Sequence, residues 1–156
     1  MANIRRKTYR LKVIKPVYST LNIAEEARDW FHPENPVSSS TQVADLFAHL
    51  RRETREIFAT VHLDSKNRVL CIETVSIGSL SAAVVHPREV FKATLLSSAA
   101  ALVLVHNHPS GDPTPSREDL ELTKRLKDAG ELLGIRVLDH VIIGENYLSF
   151  ADRDLL

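Results

Sequence analysis

The sequence predicts an α/β domain in which a mixed sheet lies between layers of helices. Three observations predict it. Residues 99–105 read Ala-Ala-Ala-Leu-Val-Leu-Val, an apolar run without interruption. A strand on an open, one-sided sheet would alternate, so this one is expected to be central and covered on both faces. Residues 116–133 carry Leu120, Leu122, Leu126, Leu132 and Leu133, with Gly134 just beyond, the pattern of an amphipathic helix ended by a glycine cap. Helix-like and strand-like segments alternate along the chain without strict βαβ regularity, which favours a mixed sheet over a parallel one.

At 156 residues the chain suits one domain with a sizeable core. Twenty Lys and Arg balance twenty Asp and Glu, so net charge supplies no global footprint for nucleic acid or a membrane surface. The balance is uneven: Arg5, Arg6, Lys7, Arg10, Lys12 and Lys15 all precede the first acidic residue, Glu25. These read as a solvated basic arm, or as a weak contact for phosphate. The single cysteine, Cys71, excludes an intramolecular disulfide and any Cys-rich zinc site; within its apolar run it reads as core filler. No stretch has the character of a signal peptide or approaches the ~20 apolar residues of a membrane span, so a cytoplasmic protein with no membrane partner is expected.

Taken in order, residues 1–40 read as an N-terminal extension and 41–156 as the domain proper. Residues 8–17 alternate loosely, as an extended arm or strand would. Residues 21–31 suit a helix, with Thr20 or Asn22 near its cap, broken by His32-Pro33-Glu34-Asn35-Pro36. Ser38-Ser39-Ser40-Thr41 is a linker running into an N-cap. Val43, Leu46, Phe47 and Leu50 fall at i, i+3, i+4 and i+7 on one helix face, and 51–56 continue it with charge. Residues 57–63 read as a strand, 64–67 as a turn, and 69–77 as the hairpin partner closing at Gly78. A short strand is expected at 82–85. His86-Pro87-Arg88-Glu89 opens a helix expected to turn Val90, Leu95 and Ala99 inward. After the central strand and the helix at 116–133, 137–143 make a last long strand and 147–150 a short one.

The central strand delivers His106 and His108 at its C-terminal end, where open α/β sheets gather ligands. Residues i and i+2 of a strand share a face, so both imidazoles can aim at one point, and neutral imidazole suits zinc. A catalytic zinc typically has three protein ligands. Asp119, after a loop containing Pro109, Gly111, Pro113 and Pro115, would be the third. It has a competing reading, because Ser116-Arg117-Glu118-Asp119 has the form of a capping box in which both side chains satisfy helix amides. The two readings can coexist. A hydrolytic site also needs a proton acceptor; Glu53 and Glu56 stand near the start of a strand, and either can instead belong to a solvated face. Ser116 has a second reading as a hydrogen-bond donor to an oxyanion. His32, His49 and His62 read as surface or packing residues, and His86 and the Asp139-His140 pair as structural hydrogen-bonding groups. His140 has the alternative of standing beside a metal ligand.

The pattern His106-x-His108-x(7)-Ser116-x(2)-Asp119 resembles the metal motif of the JAB/MPN/JAMM metallohydrolases, and the longer string His106 to Ser116 is similar in detail to their RadC branch. Glu56-x-Phe58, Leu63-Asp64-x-Lys66-Asn67, Gly78-x-Leu80, Val85-His86-Pro87-Arg88-Glu89 and Asp139-His140-Val141-Ile142-Ile143-Gly144 resemble RadC as well, so the likeness covers about residues 41–150. The resemblance implies a three-layer α/β/α sandwich like that of cytidine deaminases. It implies Zn2+ on His106, His108 and Asp119, with Glu56 as general acid and base and Ser116 as oxyanion donor. It implies hydrolysis of a peptide or isopeptide bond in an unidentified peptide or protein substrate. The alternative is a DNA-repair-associated or DNA-binding accessory protein whose metal is structural. Longer RadC members carry a helix-hairpin-helix region for DNA. Such hairpins need glycine and the first glycine here is Gly78, so a short RadC-like protein is expected and direct duplex binding loses its main support. Nucleobase deamination fits the related fold but lacks the P-C-x-x-C half of its ligand signature.

Overall fold

The computed structural model describes residues 17–19, 35–78 and 85–156. Five strands, β1 (Glu56–Leu63), β2 (Val69–Gly78), β3 (Ala101–Asn107), β4 (Arg136–Ile143) and β5 (Tyr147–Ser149), form one sheet in the order β2-β1-β3-β4-β5. β1 is antiparallel to both β2 and β3, β3 and β4 are parallel, and β5 returns antiparallel on β4. The sheet is therefore mixed, with β3 at its centre and every residue of β3 buried.

Strand alternation divides the core between two faces. Ala59, Val61, Leu63, Val103, Val105, Val141 and Ile143 pack on α1 (Ser40–Leu46) and the 3-10 turn Ala48–Arg52. Phe58, Leu102, Leu104 and Val137 pack on α2 (Pro87–Leu96) and α3 (Arg117–Leu133), chiefly through Val90, Phe91, Leu122 and Leu126. The result is the expected α/β/α sandwich. The uninterrupted apolar run from 99 has its cause here, since β3 has a helix layer on each side.

Three expectations change in detail. Val43, Leu46, Phe47 and Leu50 are all buried, but the α-helix stops after Leu46 and a 3-10 turn carries the rest. The charged run does not continue the helix: Glu53 is already extended, at φ −77° and ψ 132°, and Glu56 is the first residue of β1. In α2 the buried residues are Val90, Phe91 and Thr94, while Leu95 is 55% exposed. Five residues at 3.6 per turn set Leu95 roughly 140° around the helix from Val90, away from the sheet. Ala99 lies beyond α2 and is buried. The arm at 8–17, the helix at 21–31, the basic residues 5–15 and the strand at 82–85 lie outside the described residues, apart from Val17 and Val85. Among the described residues no helix is long and apolar enough to cross a membrane.

His62 is a packing histidine on the α2 side of β1. It is fully buried, with Nδ1 2.8 Å from Ser97 Oγ and Nε2 2.9 Å from Thr60 Oγ1, and half-buried Cys71 lies against it. Ser97 Oγ donates its proton to Thr94 O, so it accepts from His62 Nδ1, and the ring is neutral. Burial lowers its pKa from 6.5 to about 4. An unfolded chain takes up this proton near pH 6.5, whereas the folded chain refuses it until about 4. Stability is thus fully present above pH 6.5 and is lost as pH falls toward 4, at roughly 1.4 kcal/mol per pH unit for this residue. Urea unfolding followed across that window should show a steep wild-type slope that His62→Gln makes shallower. Equal slopes would show that His62 is not held neutral.

Candidate metal centre

His106 occupies the last turn of the pleat in β3, opposite Phe58 of β1, with the two rings stacked at 6.1 Å. It shares the α3 face with Leu102 and Leu104 and has no exposed surface. His108 lies just past the strand, but its N–H still donates to Ile143 O (2.9 Å), so strand alternation persists and turns it to the same side. Asp119 reaches the same point from the first turn of α3. His106 Nε2 and His108 Nε2 are 3.0 Å apart; Asp119 Oδ1 is 3.3 Å from the first and Asp119 Oδ2 is 3.4 Å from the second. Two imidazole nitrogens and a carboxylate are donors that suit zinc, and one ligand atom from each of the three residues lies within 4.8 Å of the others. Among the described residues this is the one group of three or more His, Cys, Asp or Glu able to hold a metal ion.

Asp119 is a capping residue whose carboxylate also faces the two histidines. Ser116 Oγ accepts from Asp119 N (3.1 Å), and Asp119 Oδ2 accepts from Ser116 N (2.7 Å) and from the Ser116 hydroxyl (2.6 Å), a complete capping box. The cap fixes the carboxylate that faces the histidines. Burial by itself would raise the pKa of Asp119. The His106 and His108 imidazoles against it and the Ser116 hydroxyl outweigh this, and the carboxyl stays well below its ordinary range. Burial lowers His106, against the pull of Asp119, whereas the less buried His108 is raised by its bond to Asp119. His108 Nδ1 donates to Asp112 O (2.7 Å), which turns Nε2 to the ligand point.

The connecting loop is held down on the turn between β4 and β5. Gly111 N donates to His108 O and Glu145 N donates to Gly111 O, each within 2.9 Å. Gly144 makes this approach possible, since a Cβ there would collide with the Gly111 carbonyl.

Glu56 lines a cleft of about 790 Å3 together with Thr54, Arg55, Gly78, His108, Ser116 and Asp119. Continuing the Phe58–His106 register outward sets Glu56 opposite His108, on the same face. Its charge acts on both histidines, favouring their protonated forms. Glu53 does not line the cleft. Sequence reasoning missed Asn107, which is buried with its side chain turned to β1. Its Oδ1 accepts from Ile57 N (2.7 Å) and its Nδ2 donates to Arg55 O (3.0 Å), gripping the backbone on both sides of Glu56. The only signal was a polar residue at the end of an apolar strand.

Asp139 has its expected structural role, accepting from His140 N, Ser149 Oγ and Ala151 N within 2.9 Å. His86 is the N-cap of α2, although its side chain makes no capping bond. His140 is a buried hydrogen-bonding group, and it also stands beside His106. Its Nε2 lies 2.8 Å from His106 Nδ1. One irregularity of register brings it there. Leu102 pairs with Val137 but Val103 with Asp139, so β4 holds an extra residue and His140 pairs with Leu104, on the His106 face. Without the bulge it would pair with Val105 and point to the other layer.

The RadC-like JAB domain family matches residues 37–155. Relatives described as UPF0758 proteins include one from Geotalea uraniireducens, 55% identical over 121 residues (76% of this chain, 53% of the relative). One from Methanosarcina mazei is 52% identical over 123 residues (78% and 54%), and one from Caldanaerobacter subterraneus is 48% identical over 150 residues (93% and 62%). The chain thus spans between 53% and 62% of the length of these relatives. A sandwich whose central strand ends on two histidines, a capped aspartate facing them, and these matches agree: the chain belongs to the RadC family of JAB/MPN-type proteins.

Proposed function

We propose that the chain is a zinc-dependent hydrolase of the JAMM type that cleaves a peptide or isopeptide bond. The observation that carries this reading is the convergence of His106, His108 and Asp119, the last two of them on the wall of an open cleft that Glu56 also lines. Two imidazoles and one carboxylate suit zinc better than magnesium or calcium, which prefer all-oxygen shells. Three protein ligands beside an open cleft favour a catalytic ion over a structural one, whose four positions are filled by protein. That weighs against an accessory role with a structural metal.

When bound, zinc supplies Lewis acidity, acidifying water and polarising a carbonyl oxygen. His106, His108 and Asp119 hold it. Glu56 accepts the proton of the attacking water and returns it to the leaving amine. The Ser116 hydroxyl donates to Asp119 Oδ2, so it serves as oxyanion donor by turning from that acceptor into the cleft. Arg55 stands exposed at the cleft wall. The test is to incubate the zinc-loaded chain with a peptide library and with branched isopeptides, and to read new amino termini by mass spectrometry. Cleavage that stops with a chelator and returns with zinc is expected. An absence of cleavage in every pool, with zinc bound, would overturn the reading.

A further inference from the structure

We infer that Thr123 and His140 are positioning residues that fix which nitrogen of His106 faces the metal, an inference that rests on the zinc reading above. A buried chain of hydrogen bonds starts and ends on two of the ligands themselves. Thr123 Oγ1 donates to the backbone carbonyl of Asp119 (2.6 Å) and lies 2.6 Å from His140 Nδ1; His140 Nε2 in turn lies 2.8 Å from His106 Nδ1. Thr123 is 2% exposed, and His140 and His106 are fully buried.

The proton order follows from one end. A carbonyl only accepts, and a hydroxyl has one proton. Thr123 therefore spends its proton on Asp119 O and accepts from His140 Nδ1–H. His140 is buried with both ring nitrogens committed to uncharged neighbours, so a single proton suffices, and Nε2 has only a lone pair. His106 must then donate from Nδ1. That leaves His106 Nε2 bare, and it is this atom that lies 3.3 Å from Asp119 Oδ1 and 3.0 Å from His108 Nε2. The other tautomer would put a proton where the metal belongs.

The sequence supplies each link. Thr123 is four residues after Asp119, so its hydroxyl sits over that carbonyl, and its branched side chain has few rotamers to choose from. The bulge in β4 puts His140 on the right face. Because the chain closes on Asp119, it also ties α3 to β3 through β4 and so fixes the spacing between two ligands carried by different elements.

The full chain labelled with 15N-histidine tests this without any substrate. In the metal-free wild type, long-range 1H–15N spectra should show His106 and His140 both protonated at Nδ1. On adding zinc, His106 should retain that proton while its Nε2 resonance moves. His106 protonated at Nε2 in the metal-free chain would overturn the inference. Thr123→Val keeps shape and removes the acceptor, and should weaken zinc binding roughly 10–100-fold, with recovery in Thr123→Ser. Unchanged zinc affinity in Thr123→Val would overturn the inference and leave the zinc reading standing. A wild-type chain that binds no zinc would overturn the zinc reading, while the metal-free spectrum would still report the tautomers.

Discussion

Glu56→Gln should keep its zinc and lose turnover by about 10²–10⁴-fold, the usual contribution of a positioned acid and base. Glu56 is not among the converging ligand atoms, which come from His106, His108 and Asp119. It is nevertheless held in place by its strand and by Asn107, whose two bonds fasten the peptide groups before and after it. Glutamine preserves shape and hydrogen-bonding reach and removes only basicity. The measurement pairs zinc content with the rate on whichever peptide the wild-type chain cleaves. A rate within tenfold of wild type would remove Glu56 as proton acceptor. Loss of zinc would make it a ligand.

Asp119→Asn should separate the two duties of that residue. The amide oxygen can still accept from Ser116 N, so the cap survives in part and folding stability falls by about 0.5–2 kcal/mol. With the amide oxygen kept at the Oδ2 position by the cap, the amide nitrogen takes the Oδ1 position and faces His106 with protons where the carboxylate offered lone pairs. Zinc affinity should drop by more than the roughly 10–100-fold that loss of an outer partner costs. Isothermal titration with zinc and urea unfolding of the same preparation read the two effects. Retained zinc affinity, with stability lost, would make Asp119 a capping residue and nothing more.

How much of this was legible in the sequence differs from element to element. The run from 99 announced a central strand because burial on both faces removes the polar half of the alternation. His106, His108 and Asp119 stood out as candidate ligands through the RadC-like motif, whereas spacing alone left Asp119 divided between ligand and helix cap. The end of α1 was not legible: the apolar period of Val43, Leu46, Phe47 and Leu50 is served equally well by a helix and by a helix followed by a 3-10 turn. Leu95 was misplaced because its neighbours Phe91 and Thr94 already filled the inward face. His140 was undecided for a deeper reason. Which face it takes depends on one extra residue in β4, and register is a property of the pairing that no single strand displays. Asn107 likewise acts through the backbone of β1, far away in sequence.

The proposed mechanism stands on one zinc ion held between His106, His108 and Asp119. The most direct measurement is anomalous diffraction at the zinc edge from crystals of the zinc-loaded chain. One strong peak is expected within bonding distance of His106 Nε2, His108 Nε2 and an Asp119 carboxylate oxygen, with its remaining side open to the cleft that Glu56 lines. A chain that takes up zinc elsewhere, or shows no peak between these three atoms, would contradict it.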